Sequence, residues 1–262
     1  MIWVVWMRNL RQGWQFHRRF FMEPSAAPVA HPFPATMWSK VLRTRDEPSA
    51  RTALDQLCAL YWPPVVGYVR ALGCGIDEAE DVAQEFFATF LRREGFQRAE
   101  QERGTLRAYL KTAIRHHVLH FIRDRATQRR GGGREAVALD DGAAPELRSN
   151  DEPAMHYDEE WALTVLARAL SAMRESYAQR GKAALFEKLK LVLMQSAQSQ
   201  GAEAADALGM ARGTWAVEQY RAWRRLAEAL RAEVAQTVLD PGEIEAELMH
   251  LLRVLARTEV AA

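Results

Sequence analysis

Three cations stand four residues apart, Arg107, Lys111 and Arg115, within GTLRAYLKTAIRHHVLHFIRDRATQRR at residues 104–130. On a helix that spacing stacks side chains along one side, and such a row can follow a phosphate backbone. Tyr109, His116, His120 and Phe121 are interleaved with the cations, while Arg103, Arg123, Arg125, Arg129 and Arg130 extend the charge. Flat rings beside cations suit unstacked bases, so the chemistry on offer is a hold on single-stranded nucleic acid. Residues 103–134 hold nine Arg or Lys and one acid, Asp124. A row of merely solvated cations is the alternative that the pattern leaves open.

Other chemistries find less support. His116 and His120, at i and i+4, can present two imidazoles to a metal, but no third ligand stands nearby. The glycines of RGGGR lie in an acidic segment, not ahead of a helix, and no motif joins a nucleophile to a base and an orienting acid. Neither catalysis, a metal nor a cofactor is expected. A second basic constellation is GAEAADALGMARGTWAVEQYRAWRRLAEALRAEV at 201–234. It reads as a short helix ending at Leu208, a turn at Gly209-Met210-Ala211, and a longer helix from Arg212, the order of a helix-turn-helix. The second helix sets Arg212, Arg221, Arg224, Arg225 and Arg231 against Glu218 and Glu228. A plain helical hairpin would show the same pattern.

These side chains need helices to position them. DEAEDVAQEFFATFLRR, residues 77–93, predicts one, with Asp77 as N-cap and Arg92 and Arg93 in the last turn. Val82, Phe86 and Phe90 share a face, Phe87 and Leu91 lie beside it, and Asp81, Gln84 and Glu85 are left for solvent or a protein partner. In the 104–130 helix the expected buried face is Leu106, Leu110, Ala113, His117 and Phe121, with Tyr109, Ile114 and Ile122 alongside. Seven of the 10 prolines lie at or before Pro64, and the stretches beyond are rich in Ala, Leu, Arg and Glu, which favours helix. No run of alternating β-branched residues predicts a sheet.

The expected fold is therefore all-α, as two small helical domains joined by a flexible acidic linker. Residues 1–36, aromatic and then Pro-rich, read as a poorly ordered extension; 37–130 as a first helical domain; 131–155 as the linker, with three consecutive glycines; 156–236 as the helix-turn-helix domain; and 237–262 as a helical tail that starts at DPGE.

Composition bounds the rest. The chain has 262 residues, 48% apolar and 26% charged, with a net charge of +1. That excludes both a disordered chain and a uniformly basic coat. The balance conceals a gradient: net +3 over residues 1–36, +5 over 37–134 and −7 over 135–262. Residues 135–160 alone carry nine acids against one base, Arg148. Directly after a basic segment, such a run suggests either partners of opposite charge or two surfaces that attract each other. Two cysteines, Cys58 and Cys74, exclude a disulfide framework and suit a reducing compartment. No 18-residue apolar run predicts a membrane span. MIWVVWMRNL places its short apolar run before the basic residues, the reverse of a secretory signal. A cytoplasmic location with no membrane partner is expected.

The ordered set of three stretches resembles the extracytoplasmic-function (ECF) sigma factors of the sigma-70 superfamily. EDVAQEFFATFL resembles the sigma region 2 helix that docks on the clamp of RNA polymerase. RGTLRAYLKTAIRHHVLHFIRDRA resembles the segment that melts and reads the minus-ten element, and EAADALGMARGTWAVEQYRAWRRL the region 4 helix-turn-helix that reads the minus-35 element. MWSKVLRTRD, the GGG after QRR, and EVAQTVLDPGEIEAELMHLL look like a long-tailed subgroup with a GGG linker. The resemblance spans about residues 37–256. It implies polymerase contacts at Asp81, Gln84, Glu85 and Phe87, and promoter contacts at Arg107, Tyr109, Lys111, Arg115, His116 and Arg123. It also implies DNA contacts of the second domain, to the upstream element or its phosphates, at Arg212, Thr214, Trp215 and Arg221. The implied partners are core RNA polymerase, promoter DNA and an anti-sigma or other regulatory protein. Ala211 and Ala216 stand where the family often has Ser and Lys, Trp215 replaces a small aliphatic residue, Ala204 a Leu, and His116 a frequent Asn. An alternative follows from these departures: a helical protein-interaction adaptor derived from a sigma factor, with no promoter binding.

Overall fold

A computed structural model describes residues 48–93, 95, 98, 105–129, 152–194 and 200–261. The expected N-terminal extension and most of the acidic linker fall outside these residues. Every described element is helical: α1 Pro48–Ala71, α2 Ile76–Arg92, α3 Leu106–Arg129, α4 Glu152–Gln179, α5 Ala183–Met194, α6 Gln200–Ala207, α7 Arg212–Ala235, a 3₁₀ turn Pro241–Glu243, and α8 Ile244–Ala261. The all-α class is as the sequence predicts. The chain divides into two compact units, one within Ala35–Thr164 and Gln236–Ala262, the other within Val165–Ala235. The expected boundary near residue 156 thus falls inside α4. The tail, expected as a separate segment, belongs with the first unit.

In the first unit, α1 carries Pro63 and Pro64 in its interior. Each lacks the N–H that would bond to the carbonyl four residues earlier, those of Ala59 and Leu60. Burial holds the helix through this gap: Leu57, Leu60, Tyr61, Val65 and Val69 are fully enclosed. Gly67 lets α4 come close, since a Cβ there would lie 2.9 Å from Glu160 Cγ. The rings of Tyr68 and Tyr157 meet edge to face at 6.1 Å on the same pair of helices. The end of α1 is a glycine turn: Gly73, at φ +95°, donates to the Arg70 carbonyl and Cys74 to that of Val69, closing two free acceptors.

Helix α2 buries Ala79, Val82, Ala83, Phe86, Phe87 and Phe90, the predicted face. Its start differs from expectation. The N-cap is Gly75, with no side-chain cap, and Asp77 lies in the first turn, where its charge still suits the helix dipole. In α3 the enclosed seam is Leu106, Leu110, Ile114 and Val118, with Ala113, His117 and Phe121 half-buried beside it. At 3.6 residues per turn, positions four apart advance by about 40° around the helix. The cationic row therefore winds out of the unit: Arg107 is buried, Lys111 half-buried and Arg115 exposed.

Helix α8 completes this unit. Asp240 caps its 3₁₀ lead-in, accepting from the Gly242 N–H at 2.8 Å. Ile244, Leu248, Leu251, Leu252, Val254 and Leu255 are all buried, each contributing on the order of 1.5–3 kcal/mol of transfer free energy.

The second unit packs the later part of α4 with α5, α6 and α7. Tyr177 and Phe186 rings meet at 5.6 Å, and the Arg225 guanidinium lies 4.9 Å from the centre of the Tyr177 ring. Arg168 bonds to Glu233 at 2.8 Å. Between α6 and α7 the predicted turn is present. Gly209, at φ +61°, donates to the Asp206 carbonyl and Met210 to that of Ala205. A side chain at Gly209 would be strained whatever space it had.

Candidate polymerase- and nucleic-acid-binding surfaces

The side of α2 opposite its phenylalanines is polar. Asp81, Gln84 and Glu85 are all exposed there, whereas Phe87 is only 7% exposed and stacks on Trp62 at 5.9 Å. Phe87 is thus corrected from a surface contact to a core residue that supports the α2 face, because its ring completes the Val82–Phe86–Phe90 packing. Glu78, one turn before Asp81, pairs with Arg125 of α3.

On α3, three expected contact residues, Arg115, His116 and Arg123, are exposed. Tyr109 is half-buried, with its ring 6.0 Å from Phe90. His117, between α2 and α3, lies 5.7 Å from the Phe86 ring, and its burial lowers its pKa below the ordinary histidine value. His120 is engaged within its own helix, 3.0 Å from Asp124. Among the described residues no three metal-ligating side chains come together, and no helix is long and apolar enough to cross a membrane.

Arg107 is the largest correction. It is 7% exposed and lies 5.1 Å from the centre of the Trp161 ring. Its Nε donates to Glu247 at 2.6 Å and one Nη to the other Glu247 oxygen at 3.1 Å; the second Nη donates to Asp158 at 2.6 Å. Lys111 donates to the remaining Asp158 oxygen at 2.9 Å, and His250 Nε2 lies 3.6 Å from that same oxygen. Burial disfavours the guanidinium's charge, but the Glu247 hydrogen bond and the two carboxylates outweigh it and hold the Arg107 pKa above its ordinary value. Burial likewise works against the Asp158 carboxylate. The nearby His250 imidazole, Arg107 and Lys111 prevail and hold its pKa well below the carboxylate range. Two of the three cations in the predicted row are therefore engaged inside the protein. Asp158 comes from the acid-rich run 135–160, so there the attraction of two surfaces is realised within the chain. Glu247 and His250 were absent from the sequence-based site, since nothing local marks a tail residue as a partner for Arg107.

On α7, Arg212 and Thr214 are exposed. Trp215 is 3% exposed, and its indole N–H has no hydrogen-bond partner among the described residues. It joins Ala222, Leu226, Leu230 and Val234 on the inward face, which corrects its reading as a DNA contact: it stands seven residues, two turns, before Ala222 and so shares that buried side. Arg221 is exposed but bonds to the buried Glu218 at 3.1 Å, and Lys182 approaches the same carboxylate at 3.8 Å. Val217 and Tyr220 are exposed on the outer face and were not anticipated. Placing Trp215 inward would have revealed them, because positions two and five residues further on then point outward.

Residues 57–128, from within α1 to the end of α3, match the family model described as Sigma-70 region 2. No curated protein and no solved structure matches the chain. The matched segment lies on an all-helical unit and is similar, over those residues, to region 2 of sigma-70 proteins.

Proposed function

We propose that the chain is an RNA polymerase sigma factor of the ECF type, in the long-tailed subgroup with the GGG linker, acting in the cytoplasm. It binds core polymerase through Asp81, Gln84 and Glu85 of α2. It directs promoter recognition and melting through Arg115, His116 and Arg123 of α3, with Tyr109 at their edge, and engages the upstream element through Arg212, Thr214 and Arg221. An anti-sigma or other regulatory protein is its further partner. The observation that carries this reading is the coincidence of the Sigma-70 region 2 match with an α2 whose phenylalanine face is sealed and whose polar face is open. In α3, cations and an imidazole on the exposed side can hold phosphates and stack on an unpaired base. The test is capture of core RNA polymerase by the full chain, followed by run-off transcription. Capture without promoter-specific transcripts would overturn the promoter reading and leave an adaptor; no capture would overturn both.

A further inference from the structure

We infer that α8 is a docked internal partner on which the segment matching Sigma-70 region 2 depends for its fold and for its polymerase-binding face. The matched segment stops at residue 128, yet its Arg107 is satisfied from outside, by Glu247 of α8 and Asp158 of α4. A guanidinium this deeply buried is tolerated only when paired and hydrogen-bonded. Glu247 is itself 3% exposed, so loss of Arg107 would strand its charge, and loss of Glu247 would leave the buried guanidinium with Asp158 alone. The bonds run from α8 directly to the first turn of α3, and through Asp158 to its second. Tyr157 reinforces the same turn by donating its hydroxyl hydrogen to the Arg107 carbonyl oxygen at 3.3 Å. Phe90 of α2 in turn lies against Tyr109 of α3, which connects the α2 face to the helix that α8 holds.

A removable lid is the competing interpretation. Elements that open readily have few buried apolar contacts, whereas α8 buries six aliphatic side chains along with Glu247. The tail is thus a constituent of the unit. Lys111 and Arg107 accordingly stay with Asp158 and Glu247 while polymerase or DNA is bound.

The inference about the polymerase-binding face rests on the proposed function; the inference about the fold does not. The test is hydrogen exchange on the full chain with Glu247→Arg, and with Arg107→Met combined with Glu247→Leu, alongside core-polymerase binding. Glu247→Arg is expected to speed exchange in α1 and α3 at least tenfold and leave α5 and α7 within twofold, with polymerase affinity falling at least tenfold. The neutral pair, which keeps Asp158 with Lys111 and strands no charge, is expected to recover most of both. Exchange in α1 and α3 within twofold of the parent for Glu247→Arg, equal loss in both units, or no recovery in the neutral pair would each overturn the dependence of the fold. Intact polymerase affinity despite lost protection would overturn only the dependence of the binding face. Failure of the unaltered chain to bind polymerase would overturn the proposed function, and exchange would still decide the role of α8.

Discussion

Arg107 and Glu247, 140 positions apart in the chain, are joined by two parallel hydrogen bonds between the guanidinium fork and both carboxylate oxygens. Asp158 occupies the other side of the fork. An arginine that sequence pattern places on a nucleic-acid surface is thus the centre of a buried cluster. Glu247→Ala leaves the guanidinium with one carboxylate and should cost about 3–5 kcal/mol, the usual penalty for breaking a buried pair. Replacing Arg107 and Glu247 together by Met and Leu should cost much less, because no charge is stranded. Urea unfolding of the three proteins measures this, and a single variant as stable as the parent would refute it.

Acid should loosen the same cluster. The Asp158 pKa is lower folded than unfolded, and the unfolded value lies near 4. Its contribution is therefore complete above about pH 5 and is lost as pH falls past 4 towards the folded pKa. The parent Tm should drop more steeply between pH 5 and 3 than that of Asp158→Asn, which is less stable at neutral pH but lacks this titration. Parallel Tm curves would show that Asp158 contributes nothing through its charge.

The exposed side of α2 should be separable from the fold. Asp81→Ala with Gln84→Ala alters two exposed side chains and should change stability by about 0.5 kcal/mol or less per site. Core-polymerase binding should weaken severalfold at unchanged Tm. Unchanged binding would take these residues out of the interface.

Salt dependence should divide the cations of α3. If Arg115 and Arg123 meet phosphates of a single strand, removing each should reduce the slope of log affinity against log salt by about 0.7. Lys111→Ala should leave the slope unchanged, since its ammonium is held by Asp158. Titrating holoenzyme onto a forked promoter at several salt concentrations gives the slopes. An equal fall for Lys111→Ala would mean that the Asp158 pair opens on binding.

Helix positions were legible because apolar spacing, dipole-matching acids and the Gly209 turn are local features. The rotation of side chains was less so. A row at strict four-residue spacing looks straight in sequence but drifts around a real helix, which separates Arg107 from Arg115. Pro63 and Pro64 lie inside a helix that burial of their neighbours maintains despite the two missing N–H donors. Partners such as Glu247 left no local trace, because an ion pair between distant segments imposes no spacing on either.

The division of the first unit into two stretches of chain also has a consequence in time. Ribosomes deliver α1, α2 and α3 well before α8, with residues 165–235 made in between. At roughly 5–20 residues per second, that interval lasts several seconds. Throughout it Arg107 has no Glu247, and α1 must carry its two prolines without the finished packing around it. The nascent unit therefore waits, with apolar and charged groups uncovered, for a segment synthesised after its neighbour.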